Sequence, residues 1–217
     1  MRGMFSTIAP RYDFITRAFS YGMDRRWKRL AVARQSFAPD ARILDLACGT
    51  GDFAKLVLGQ YPAARVIAAD LTELMLRLSN IRHAVCADAA SLPFAAESFD
   101  AVFIGYGLRN FPRLDASIRE VRRVLKPGGV LVTLDFFLPS RPWLRQLYLG
   151  YLYGQGAFWG VILHGRARVY TYIPDSLRNF LSAENFSLLL AKMGFAEIAA
   201  QQFILGGIAV HWAKKPV

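Results

Sequence analysis

Residues 44–52 read Leu44-Asp45-Leu46-Ala47-Cys48-Gly49-Thr50-Gly51-Asp52. Ile43 joins Leu44 and Leu46 in a short apolar run of strand length. Phe53 to Gln60 then carries apolar residues at helical spacing. Gly49 and Gly51 therefore belong to a tight turn between a strand and a helix, where a backbone without Cβ atoms lets a ligand approach closely. Outward from this turn the pattern repeats. Arg65 to Ala69 is a second strand ending at Asp70, and Glu73 to Leu78 a brief helix. Ala84 to Cys86 is a third strand ending before Asp88, and Phe99 to Ile104 a fourth. Leu114 to Leu125 is a helix stopped by Lys126-Pro127-Gly128-Gly129, and Val130 to Phe136 a fifth strand. Strands alternating with helices imply βαβ units and a parallel sheet. The near-continuous apolar content of the strands implies cover on both faces.

The flanks break this rhythm. Residues 5–36 read as helices, with apolar positions at Ile8, Tyr12, Ile15 and Phe19, then Trp27, Leu30 and Ala31, and a break at Gly22. After Pro139 the alternation lapses until Tyr172-Ile173-Pro174. Ala183 to Met193 is a helix capped by Gly194, and two closing strands, 196–203 and 207–213, form a hairpin that adds an antiparallel strand. The expectation is one domain over 1–217, with a helical cap at 1–40 and a helical cover inserted at 140–172.

At 217 residues and 54% hydrophobic, the chain can bury one substantial core. Its two cysteines, Cys48 and Cys86, are too few for a disulfide framework and read as small apolar residues in a reducing compartment. Residues 1–6 lack an apolar h-region, so secretion is not expected. The uncharged run Leu147 to Leu163 is too short, and too rich in glycine, for a membrane span. It reads as a greasy, glycine-broken cover or a segment resting at an interface. The net charge of +11 favours a polyanionic neighbour, nucleic acid or an anionic bilayer. Each basic cluster (Arg25, Arg26, Lys28 and Arg29; Arg119, Arg122, Arg123 and Lys126; Arg141 and Arg145) also fits a solvated helix face. The spacing of His83, His164 and His211 offers no metal site.

The glycine turn alone is ambiguous, because Gly49-x-Gly51-x-x-Ala54 also satisfies a dinucleotide fingerprint and Asp70 suits a ribose diol in either case. Asp45 weighs against a dinucleotide: a carboxylate inside an apolar strand would repel a pyrophosphate and attract the ammonium and sulfonium of S-adenosylmethionine (SAM). Asp88-Ala89, placed to meet an adenine amino group, followed by Leu92-Pro93-Phe94 and Ser98-Phe99-Asp100, points the same way. The ordered set resembles the class I SAM-dependent methyltransferases, which implies a Rossmann-like, seven-stranded, mostly parallel sheet with helices on both faces and an antiparallel C-terminal strand.

A narrower resemblance lies at both ends and in the middle. Phe5 to Asp13, Asp24-Arg25-Arg26-Trp27, Gly107-Leu108-Arg109-Asn110 and Gly206-Gly207-Ile208 are similar to segments of the quinone-biosynthesis C-methyltransferases, over about residues 4–214. That family methylates a ring carbon of demethylmenaquinol or a polyprenyl benzoquinol. The resemblance implies Asp45, Gly49, Thr50, Gly51, Asp70, Asp88 and Ala89 as the SAM-binding residues. Arg109, Asn110 and Tyr12 follow as candidate catalytic residues, with Arg109 as a fixed positive charge favouring the phenolate form of the ring and Asn110 and Tyr12 as positioning partners. Three departures stand out: a short stretch between Asp70 and Asp88, Gly105 where some members have Ser, and Phe136-Phe137 where many have a Phe-Ser pair. The expected partners are a polyprenyl quinol, an anionic membrane surface touched peripherally from the cytoplasmic side, and a second copy in a homodimer; no metal and no nucleic acid is expected. Alternatives carried forward are an RNA or other small-molecule methyltransferase, a non-catalytic SAM-binding accessory subunit, and a dehydrogenase.

Overall fold

A computed structural model describes residues 12–166 and 170–217. Its strands are β1 (Arg42–Leu46), β2 (Arg65–Asp70), β3 (Ala84–Cys86), β4 (Phe99–Gly105), β5 (Leu125–Phe136), β6 (Ala196–Phe203) and β7 (Ile208–Lys214). They form one sheet in the order β3-β2-β1-β4-β5-β7-β6. β1 pairs in parallel with β2 and β4, with Asp45 beside Ala68 and Phe103. β7 alone runs antiparallel, between β5 and β6, with His211 opposite Thr133. The chain order reverses between β1 and β4, and in open α/β sheets ligands bind at the carboxyl ends of the strands flanking such a point.

The helices are α1 (Tyr12–Phe19), α2 (Asp24–Ala33), α3 (Asp52–Gln60), α4 (Glu73–Ser79), α5 (Leu114–Val124), α6 (Pro142–His164), α7 (Tyr172–Leu177) and α8 (Ala183–Lys192). Neighbouring strand residues point to opposite faces. Ile43, Phe103 and Val132 pack with Trp27, Ala31 and Val57 on one side, while Leu44, Val102 and Leu131 pack with Ile118, Val121 and Phe186 on the other. Each such side chain, fully buried, contributes about 1.5–3 kcal/mol.

Four expectations need correction. β5 starts at Leu125 rather than Val130. Gly128, with φ +74°, donates its N–H to the Lys215 carbonyl, so the Lys126–Gly129 stretch stays paired to the C-terminal strand while its register against β4 jumps. The run read as glycine-broken is one continuous 23-residue helix, α6. Pro142 opens it, where a missing N–H costs nothing, and Gly165, with φ +64°, caps its end. Lys28 lies inside rather than on a solvated face, and Cys86 is exposed at the sheet edge, where β3 has a partner only on the β2 side. The expected helix over residues 5–11 lies outside the described residues.

Candidate active site

A groove opens at the carboxyl ends of β1, β2 and β4. Gly49, Asp70, Asp88, Ala89 and Asn110 all line it. β1 delivers the Gly49 turn and β2 delivers Asp70. The Asp70 carboxylate accepts the Gly49 N–H at 3.0 Å through one oxygen and the Thr72 N–H at 2.8 Å through the other. It thereby fixes the glycine turn to the next strand end. Burial pushes its pKa up, and the backbone N–H groups of Gly49 and Thr72 oppose that. Asp88 is exposed at the rim, where it accepts the Ala90 N–H at 2.9 Å and faces Arg113 at 3.5 Å.

Past Gly49 the groove continues into a smaller recess lined by Lys28, Asp45, Thr50, Asp52, Gly105 and Tyr106, among others. Asp45 is buried there and accepts the Ala54 N–H of α3 at 2.9 Å. Burial raises its pKa to about 7, with Asp52 and Asp70 adding to the rise and the Ala54 N–H and Lys28 opposing it. Lys28, buried on α2, is ion-paired with Asp24 at 3.3 Å and with Asp52. Neither Lys28 nor Asp52 was singled out for the site from sequence. The i,i+4 spacing of Asp24 and Lys28 was a usable signal.

Close packing shapes the floor. A Cβ on Gly107 would lie 2.7 Å from that of Ala47, and one on Gly105 would lie 2.8 Å from the Phe53 ring. The chain leaves β1 through Ala47 at φ +53° and β4 through Tyr106 at φ +58°, a region non-glycine residues rarely occupy. Such strain at two strand ends facing one groove is characteristic of a site whose geometry overrides local preference. Gly51 lines neither cavity. With φ +81° it starts α3, and a Cβ there would meet Ser79 and Ile81 at 3.1 Å.

Arg109 stands behind the groove rather than in its lining, with its side chain 2% exposed. Its guanidinium donates to Asp135 Oδ1 at 2.6 Å and to the Tyr106 carbonyl at 3.1 Å, lies 5.0 Å from the centre of the Phe136 ring, and hydrogen-bonds Tyr172. Asp135 was not foreseen. It accepts the Leu108 N–H at 2.7 Å and the Phe136 N–H at 2.8 Å as well. Burial pushes its carboxyl up, and Arg109 and the two N–H groups pull it back. Like Asp45, it is an acid in an apolar strand, and that shared oddity could have revealed it. The side chain of Tyr12 lies outside the described residues. Among the described residues no three His, Cys, Asp or Glu side chains cluster as metal ligands. His211 is buried, with its Nε2 3.0 Å from the Ala183 carbonyl, and burial lowers its pKa to about 4.

Glycine-lined backbone, an acid at each of two strand ends and a buried acid at the recess suit a ligand with a diol, an exocyclic amine and a cationic tail, which is the donor and acceptor set of SAM. The chain is 37% identical to a demethylmenaquinone methyltransferase of Thermus thermophilus over 98% of this chain and all of that protein. It is 38% identical to the ubiquinone/menaquinone biosynthesis C-methyltransferase UbiE of Syntrophotalea carbinolica, covering 98% of this chain and 92% of that one. A solved SAM-dependent methyltransferase of Thermotoga maritima, 20% identical, has the same fold, with a TM-score of 0.66 over 99% of this chain and all of that one. The family model described as the ubiE/COQ5 methyltransferase family matches residues 1–215, and the chain belongs to that family.

Proposed function

We infer that this chain is a SAM-dependent C-methyltransferase whose acceptor is a ring carbon of a polyprenyl quinol, in menaquinone or ubiquinone biosynthesis. The observation that carries this is the full-length match to the quinone-methylating family, together with a strand-end groove into which Gly49, Asp70, Asp88 and Asn110 all open. SAM supplies an electrophilic methyl group on a sulfonium.

The residues divide the remaining work. Asp70 holds the ribose hydroxyls, because each of its oxygens keeps a lone pair after accepting one backbone N–H. Ala89 and Asp88 meet the adenine edge. Asp45, Asp52 and Lys28 make the recess an electrostatic socket for an amino-acid end, one cation among carboxylates. Asn110, held by its 3.4 Å contact to the Tyr106 carbonyl, orients an acceptor hydroxyl from the groove wall. Arg109 acts as a positioning residue: paired with Asp135 and tied to Tyr106, it fixes the Gly107–Asn110 turn that carries Asn110. Tyr12 is kept as a further positioning partner, and Thr50 and Gly51 as the shape of the turn. The molecule is read as one domain that works peripherally at the inner face of the cytoplasmic membrane and pairs as a homodimer.

The test is incubation with methyl-labelled SAM and chemically reduced demethylmenaquinone or demethylated benzoquinol analogues. Label in one of these quinols is the expected result. SAM binding without label in any quinol would point to another acceptor such as RNA, and absence of SAM binding to an accessory role.

A further inference from the structure

α6 has two faces of different fate. Tyr148, Leu149 and Leu152 are buried against the core, and Gly156 presses against the Tyr170 carbonyl, 2.9 Å from where a Cβ would stand. The opposite side carries Trp143, Leu147, Phe158, Val161 and Ile162, each more than half exposed. Together with Gly150 and Gly154, which have nothing within 4 Å of a Cβ position, they recur every three or four residues as one stripe along the helix. Tyr21, 65% exposed, extends the patch through a 2.6 Å hydrogen bond between its hydroxyl and that of Tyr151. A soluble surface rarely leaves a continuous apolar stripe of this length open.

The charge around the stripe identifies what covers it. From Phe136 to Pro174 the sequence contains no Asp or Glu. The exposed Arg141 precedes the start of α6 and the exposed Arg166 follows its end, while Arg145 is half-buried on the helix side turned toward the core. A two-fold interface between copies would set the exposed arginines against one another in either helix orientation, and the carboxylates nearest the segment are already engaged, Glu184 by Ser140 and Gln202, and Asp175 by Tyr153. An anionic bilayer answers both halves of the pattern: acyl chains take the stripe, and lipid phosphates take the exposed Arg141 and Arg166. No described helix is long and apolar enough to cross a membrane, so the helix lies along the surface.

We propose that the outer face of α6 is the surface by which this enzyme docks on anionic lipid, lying flat in the headgroup region with Trp143, Leu147 and Phe158 inserted. This rests on the quinol reading, since a polyprenyl acceptor resides in the bilayer. It adds the face that meets the lipid.

The experiment is co-sedimentation of the full chain with phosphatidylcholine vesicles, with and without phosphatidylglycerol, alongside the double variant Leu147→Glu/Phe158→Glu. Both positions are exposed, so the fold should survive, and SAM affinity together with methylation of a tailless quinol reports that it has. The wild type should bind phosphatidylglycerol vesicles at least about tenfold more tightly than phosphatidylcholine alone, and the double variant should lose about tenfold or more. Equal binding by variant and wild type would overturn the proposal. So would a wild-type dimer, seen by sedimentation without vesicles, that the variant splits, because the stripe would then be an interface between copies. Failure of the wild type to methylate the tailless quinol would count against the quinol reading alone.

Discussion

Asp45 shows how one residue can set opposing demands. Its folded pKa of about 7 stands above the ordinary value of 3.8 because burial disfavours the charged form. The folded state therefore holds the proton more tightly than the unfolded chain. Stability contributed at low pH is lost as pH rises from about 4 through 7, and the deficit is complete above the folded pKa. Asp45→Asn removes this dependence. Its melting temperature should exceed that of the wild type at pH 8 and converge with it near pH 4, by thermal denaturation across that range. SAM affinity should move the other way, falling about tenfold or more in the variant and falling in the wild type below about pH 7, because the bound ammonium needs the carboxylate. Calorimetric titration reads both. Asp135 sets a simpler demand. Asp135→Ala strands the buried Arg109 guanidinium and should cost about 3–5 kcal/mol in a urea melt, the usual penalty for breaking a buried pair.

At the scale of elements, α6 separates glycines by what surrounds them. Gly150 and Gly154 face open space in mid-helix, so alanine there should stabilise by about 1 kcal/mol. Gly156→Ala should destabilise by about 1–3 kcal/mol, because its methyl would strike the Tyr170 backbone. Denaturant midpoints of the three variants check the contrast. Gly107→Ala should weaken SAM binding by about tenfold or more, as the Cβ would wedge apart the two strand ends that floor the groove. The continuity of α6 was not legible in the sequence, because apolar residues on both faces erase the helical period and four glycines mimic breaks. Strands β1 to β4 were legible, since each is a short apolar run with a glycine or an acid at or a few residues past its end. The start of β5 was not, because pairing with the C-terminal strand holds Pro127 and Gly128 in place.

Across the whole molecule, the mostly parallel sheet and its antiparallel closing strand were readable because alternation of strand and helix leaves few topologies. The groove residues followed because a doubly wound sheet brings its strand ends together. What escaped was what depends on distant partners: the pairing of Lys28 with Asp52, of Arg109 with Asp135, and the left-handed Ala47 and Tyr106, neither of which is a glycine. The two pairs lie in or behind the recess and groove, and the strained corners line them. The most direct measurement is the position of the transferred group. With trideuteromethyl-labelled SAM and a reduced demethylated quinone, nuclear magnetic resonance of the product should place the label on a ring carbon, with the ring C–H signal lost and both hydroxyls intact. Label on a hydroxyl oxygen, or a quinol recovered unchanged beside bound SAM, would contradict the assignment of this chain as a quinol C-methyltransferase.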